Sequence, residues 1–203
     1  MDPKLSEAHV ALGTIYAVRY DYVSAAEEYR EAIRLDPENA YAWDFLSWVL
    51  AYQQPPEAVE AEKAAREAIR LGPSFFGAHY HLGRALLLQR RYPEAIAAFE
   101  HTKELSPDSS SPDFGLAQVY LAQGNYGQAL AHMLKFGEPQ VAIDLFWLSS
   151  AYAARGDKEK ALAELQKAFA VGYRDFGALD VSPYFAAIRD DPRFQQLINK
   201  YRR

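Results

Sequence analysis

Hydrophobic residues in the first part of the chain fall into two stripes separated by a polar break. Leu12, Ile15, Tyr16 and Tyr20 recur at helical spacing, and Tyr22, Ala25, Ala26, Tyr29, Ala32 and Ile33 do so again. Steps of three and four place such residues on one side of a helix with 3.6 residues per turn. Asp21 stands between the stripes, where an N-cap belongs, so the segment reads as two antiparallel helices joined by a short turn. Gly13 and Ala25 are small where the helices cross, which lets the two axes approach, and Tyr16 and Tyr29 fill the volume on either side.

The same unit returns along the chain. Pro3, Pro37, Pro73 and Pro107 are 34, 36 and 34 residues apart. Three of them end similar words: Ile33-Arg34-Leu35-Asp36-Pro37, Ile69-Arg70-Leu71-Gly72-Pro73 and Lys103-Glu104-Leu105-Ser106-Pro107. Proline cannot donate to a continuing helix and restricts the residue before it, so each word closes a two-helix unit. A non-repetitive helical bundle, the other way to build an alanine-rich helical chain, has no reason to repeat its loops at a fixed interval.

These residues resemble the tetratricopeptide repeat (TPR), a helix-turn-helix of 34 residues with the pattern W-x2-L-G-x2-Y, A-x3-F and a closing P. The pattern falls on Leu12, Gly13, Tyr16, Ala25, Tyr29, Ala32 and Pro37 in residues 6–39, and on Trp43, Leu46, Ser47, Leu50, Ala61, Ala68 and Pro73 in residues 40–75. Two extra residues around Gln53-Gln54-Pro55-Pro56 lengthen the second turn. Residues 76–109 match through Leu82, Gly83, Leu86, Tyr92, Ala95, Phe99 and Pro107. Residues 110–141 match through Leu116, Ala117, Tyr120, Gly124, Tyr126 and Ala129 but lose register at Phe136-Gly137-Glu138-Pro139, which predicts a short or irregular second helix. Residues 142–175 keep Leu148, Ser149, Tyr152, Gly156 and Ala161, with Gly172-Tyr173 in place of the closing Asp-Pro. The resemblance implies one all-α domain, a right-handed TPR superhelix or α-α solenoid of five repeats.

Residues 176–203 do not continue the pattern. Ser182-Pro183 and Asp191-Pro192 each put a capping residue before a first-turn proline, predicting two short helices. Phe194, Leu197, Ile198 and Tyr201 share a face, as a helix covering the open end of a solenoid requires. The words Gly172-Tyr173-Arg174-Asp175-Phe176 and Ile188 to Gln195 resemble the segment that closes TPR regions of bacterial multidomain signalling proteins. At the other end, Asp2-Pro3 fits either the close of an upstream repeat or a natural start with proline at the helix entry.

Composition narrows the chemistry. The 203 residues carry a net charge of −5 and no cysteine, which excludes disulfides, thiolate catalysis and Cys-ligated metal, and gives no general attraction to nucleic acid or to an anionic membrane. No basic start followed by an apolar run and no membrane-length apolar stretch is present, so the location expected is cytoplasmic. Nucleotide, zinc-protease and hydrolase signatures are absent, and no cofactor is expected. His79 and His81 lie two apart, directions too different to share a metal on a helix, and His79 and His9 take a packing position of the repeat. His101 and His132 belong to second helices and are expected on the outer face.

The resemblance implies that the first helix of each repeat lines a concave groove. Transferring the family's inward positions gives, as the principal peptide-binding candidates, Tyr41, Asp44, Trp48, Tyr80, His81, Arg84, Phe114, Gln118, Phe146 and Trp147. Glu7, Val10, Phe45 and Tyr52 share the same face. The groove is aromatic with few charges, which favours an apolar or aromatic peptide oriented by Asp44 and Arg84. The resemblance implies a clamp for the C-terminal carboxylate of chaperones that needs lysine, asparagine and arginine where this chain has Val10, Thr14, Phe45, Gly77 and His81, so that partner is not expected. The function expected is a non-catalytic interaction module, the regulatory or sensor region of a larger bacterial signalling protein. A stand-alone adaptor for assembly or secretion and an enzyme with a grafted, unannounced site are the alternatives.

Overall fold

A computed structural model describes residues 3–202. Met1 and Asp2, on which half of the Asp2-Pro3 reading rests, lie outside the described residues. Paired helices run through the repeats as α1 (Pro3–Val18), α2 (Tyr22–Leu35), α3 (Ala40–Tyr52), α4 (Ala58–Leu71), α5 (Phe76–Leu88), α6 (Tyr92–Leu105), α7 (Ser111–Ala122), α8 (Tyr126–Met133), α9 (Ala142–Arg155) and α10 (Lys158–Ala170). After them come α11 (Phe176–Val181), a 3-10 segment over Pro183–Ile188, and α12 (Pro192–Tyr201). No strand occurs among the described residues. The fold class is all-α, helix-turn-helix repeats of the α-α solenoid type.

Four of the five turns inside the repeats are built alike. Tyr20, Arg90, Gly124 and Gly156 occupy the same place in their repeats and all have left-handed φ, +64°, +59°, +77° and +94°. The next residue then donates its backbone N–H to the carbonyl five residues back: Asp21 to Tyr16, Arg91 to Leu86, Asn125 to Tyr120 and Asp157 to Tyr152, at 2.8–3.1 Å. This Schellman closure satisfies the end of the first helix, and the same donor residue begins the second. Asp21 and Asn125 also accept from the backbone N–H of Ser24 and Gln128. In the second repeat, residues 53–57 replace this turn, which is the predicted lengthening.

The chain forms two compact units, residues up to Gly115 and residues from Leu116 onward. In the first unit each helix packs on the next, and α3 also packs on α5, so α1, α3 and α5 share a face. The core here is small residues against single rings. Tyr29 and Phe99 are fully buried on second helices, and a Cβ added to Gly13 or Gly83 would lie 2.7 Å from the facing ring. Phe99 presses on Gly115 as well. Where the repeat carries serine in place of that glycine, the position bonds to the second helix instead. Ser47 Oγ donates to the Ala61 carbonyl at 2.8 Å, and in the second unit Ser149 Oγ donates to Ala161 at 2.7 Å. Glu62 is 5% exposed and accepts from Gln89 at 2.6 Å and Arg91 at 2.7 Å, fastening the second repeat to the third with a fully occupied carboxylate.

Several expectations need correction. Leu12 and Ile15, placed on the apolar stripe of the first helix, are 38% and 50% exposed, and Tyr20 is 80% exposed in its turn. A stripe wider than one helix partner can cover leaves its edge open. His132 is not on an open face: it is half-buried and stacks on Tyr120 with centroids 5.3 Å apart. In the second unit α8 is short, as the lost register predicts, spanning eight residues. The tail holds three short segments where two were expected. Asp175 caps the unforeseen α11 by accepting from Ala178 N–H at 2.8 Å, and Ser182-Pro183 opens a 3-10 segment without a side-chain cap bond. In α12, Phe194 and Ile198 are buried, and Tyr201 stacks on Phe169 of α10 at 5.0 Å.

Candidate functional site

Within the first unit, a line of aromatic rings runs along α3 on the face it shares with α1 and α5, and takes in Tyr22 at the start of α2. Tyr41 lies 6.4 Å from Phe45, Phe45 6.4 Å from Trp48, Trp48 6.3 Å from Tyr22, and Tyr22 6.3 Å from Tyr52 between centroids. Phase along α3 explains most of this, since residues 41, 45, 48 and 52 are spaced by four, three and four and therefore stay on one side of a helix. Phe75 adds an edge contact to Tyr41 at 5.0 Å from the turn before α5. Tyr41 is 61% exposed, so the line ends in an open ring.

Charge on this face is partly hidden. Asp44 is 2% exposed and accepts from His81 Nδ1–H at 2.7 Å. A carboxylate can only accept, so the pair fixes the proton on Nδ1. Gly77 makes room for the pair, because a Cβ there would stand 3.2 Å from the other Asp44 oxygen. Arg84 is 8% exposed, with its guanidinium 4.5 Å from the centre of the Tyr52 ring. Beside Tyr41, an open concavity of about 470 Å³ is lined by Glu7 and Val10 of α1, Asp36 and Glu38 of the turn before α3, and Tyr41 and Phe45.

Of the ten principal candidates, Tyr41, Asp44, Trp48, Tyr80, His81, Arg84 and Phe114 belong to the first unit. Trp48, Tyr80 and His81 are half-buried; Asp44, Arg84 and Phe114 are buried. Tyr80 also leans on Phe99, 5.4 Å away. Gln118, Phe146 and Trp147 belong to the second unit. Phe146 is buried there, stacked on Tyr173 at 4.5 Å and touching Phe185 at 5.7 Å, so its ring packs against the tail. Trp147 is half-buried with its edge toward Tyr184 at 6.3 Å. Sequence reasoning did not single out Tyr22, Phe75, Asp36 or Glu38 for the face. All four come from turns or second-helix starts, and only the Phe75-Phe76 doublet beside Pro73 offered a signal.

Asp144, in the first turn of α9, has its carboxyl pushed up to about 6 by burial. His79 donates from Nε2 to the Pro73 carbonyl at 2.9 Å, and His9 pairs with Glu28 at 2.6 Å. Among the described residues no group of three or more His, Asp or Glu side chains is placed to hold a metal, and no helix is long and apolar enough to cross a membrane.

Comparison with known proteins places these features in a family. Three family profiles, each described as tetratricopeptide repeat, match residues 6–39, 59–110 and 86–135, together more than half of the chain. The chain is 33% identical over 97 residues to the small glutamine-rich tetratricopeptide repeat-containing protein 2 of Mycosarcoma maydis, covering 48% of this chain and 27% of that protein. It therefore spans about a quarter of that relative's length. A thermophilic TPR protein of Thermus thermophilus superposes with a TM-score of 0.76 at 17% identity, over 90% of this chain and 98% of that one. The first TPR of Spaghetti (RPAP3), solved bound to an HSP90 peptide, superposes with a TM-score of 0.56 at 21% identity, over 61% of this chain and 96% of that one. The repeat spacing, the paired helices and these matches lead to one conclusion: the chain belongs to the tetratricopeptide repeat family, whose members serve as protein–protein interaction modules.

Proposed function

We propose that this chain is a non-catalytic module that holds an extended segment of a partner protein along the aromatic face of α1, α3 and α5. The observation that carries this reading is the line of rings from Tyr41 to Tyr52, closed at one end by Arg84 over Tyr52 and open at the other through the exposed Tyr41. Aromatic side chains present large contact area at low entropic cost and are the usual anchors of such recognition. The partner segment is apolar or aromatic in the part that meets the rings. A chaperone C-terminal carboxylate fits poorly, because the one arginine of this face, Arg84, is buried and the exposed charges beside Tyr41 are acidic. The likeness of residues 172–176 and 188–195 to the closing segment of bacterial signalling TPR regions supports a regulatory role within a larger signalling protein.

Selection of a random dodecapeptide library on the purified chain tests the face. Selected peptides should protect α3 and α5 from hydrogen exchange and bind on the order of tenfold more weakly to Tyr41→Ala, whose exposed ring can be removed without a core defect. Trp48→Ala should act in the same direction, read beside its melting temperature because the ring is half-buried. Peptides that bind both variants as tightly as wild type, or protect another surface, would sink the reading.

A further inference from the structure

The face proposed to hold the partner segment changes character at its end beside α1. There the concavity of about 470 Å³ has three ionisable carboxylate lining groups, Glu7, Asp36 and Glu38, and none of its lining residues is basic. Its volume is at the scale of small-ligand pockets, sufficient for one long side chain. The wall is aromatic, with Tyr41 61% exposed, 6.4 Å from Phe45 and 5.0 Å from Phe75. Glu7 and Glu38 are exposed, while Asp36 already accepts from the Glu38 backbone N–H at 3.2 Å. Arg70, whose guanidinium senses Glu38, is engaged by Glu67 at 2.6 Å. The buried carboxylate of the face, Asp44, is satisfied by His81 and contributes nothing accessible.

Two independent features converge on one ligand chemistry. Ring faces are negative through their quadrupole and attract a cation above them, and carboxylates attract it again by charge. An anionic side chain is repelled by both, and a neutral apolar one gains nothing from the acidic rim. We propose that this concavity seats the cationic side chain, arginine or lysine, of the partner segment, over Tyr41 and between Glu7 and Glu38. The occupant of the whole face is then an aromatic or apolar peptide with a basic residue at the end nearest α1. This inference rests on the proposed reading of the aromatic face and adds the charge of the partner to it.

The dodecapeptide selection, run in parallel on wild type and on the Glu7→Gln/Glu38→Gln double variant, separates the two. Both glutamates are exposed, so the double variant should melt with wild type. Peptides selected on wild type should be enriched in arginine or lysine at a fixed distance from their aromatic residues, and the enrichment should vanish on the double variant. A synthetic wild-type binder should weaken by about tenfold on the double variant, and equally when its arginine is replaced by citrulline or its lysine acetylated, with the difference shrinking in high salt. Selected peptides without a basic preference, or unchanged binding to the double variant, overturn the inference. If binding depends on Tyr41 and Trp48 but not on these charges, the aromatic face stands and only the cationic seat falls. If no peptide binds, or none depends on Tyr41 and Trp48, both fall together.

Discussion

His81 Nδ1 donates to Asp44 Oδ1 across 2.7 Å, tying α5 to α3 over 37 positions of sequence. Asp44 is 2% exposed, so this imidazole is the partner that makes its burial tolerable. His81→Ala strands the carboxylate and should cost about 2–3 kcal/mol in urea unfolding. Adding Asp44→Ala should recover part of that loss, because the double variant no longer buries a charge. Additive losses in the double-mutant cycle would show that the two groups do not interact in solution.

Gly13 and Gly83 face the rings of Tyr29 and Phe99 so closely that an added Cβ would lie 2.7 Å from the ring. Alanine normally gains roughly 1 kcal/mol over glycine inside a helix, but here overpacking a fully buried ring should outweigh it. Gly83→Ala is expected to lower stability by about 1–3 kcal/mol. Gly127→Ala, with nothing within 4 Å of its Cβ, is the control and should be neutral or slightly stabilising. Equal effects at the two positions would refute the close-packing account.

Ser47 and Ser149 hold the position that glycine holds in the first and third repeats and use it for a buried hydrogen bond to the second helix, 2.8 Å and 2.7 Å long. Ser47→Ala and Ser149→Ala should each cost about 1 kcal/mol in thermal unfolding. Ser47→Gly should cost more than Ser47→Ala, since glycine loses the same bond and adds the helix-interior penalty of a more flexible backbone.

Tyr20 and Arg90 adopt left-handed φ, +64° and +59°, where the fourth and fifth repeats use glycine. A side chain in that region costs roughly 1 kcal/mol, and both residues are exposed, so little packing is lost by removing them. Arg90→Gly and Tyr20→Gly should raise the melting temperature, each by about 0.5–1 kcal/mol of stability. The gain at Tyr20 should be the smaller because its ring also contacts Tyr22 at 6.2 Å.

Burial holds the Asp144 carboxyl up at about 6, above its ordinary value of 3.8. The native chain therefore binds this proton more tightly than the unfolded chain. Its contribution to stability is complete below about pH 4 and is lost as the pH rises through 6. Asp144→Asn removes the dependence. After allowance for solvent around a half-buried group, the variant should gain about 1 kcal/mol on wild type between about pH 4 and 7. Parallel melting curves across that range would contradict the assignment.

Much of the repeat architecture was written along the chain, because it rests on local rules. Helical spacing, the closing prolines, the small residue opposite a ring and the Asp21 cap each act within a few residues of themselves, so their signals survive without a tertiary context. The aromatic positions 41, 45, 48 and 52 were legible for the same reason, as one helix face. What the sequence could not decide was exposure. Asp44 and Arg84 looked like charges available to a ligand, yet one is buried against His81 and the other over Tyr52. Phe146 looked like a groove ring, yet Tyr173 at the close of the fifth repeat and Phe185 of the tail cover it. Leu12 and Ile15 looked like core and lie partly open. Accessibility depends on which distant segment folds over a residue, and that is a property of packing between repeats. The acidic, aromatic concavity beside Tyr41 arises in the same way. Glu7, Glu38 and Phe75 come from three separate stretches, and only the folded chain brings them to one ring.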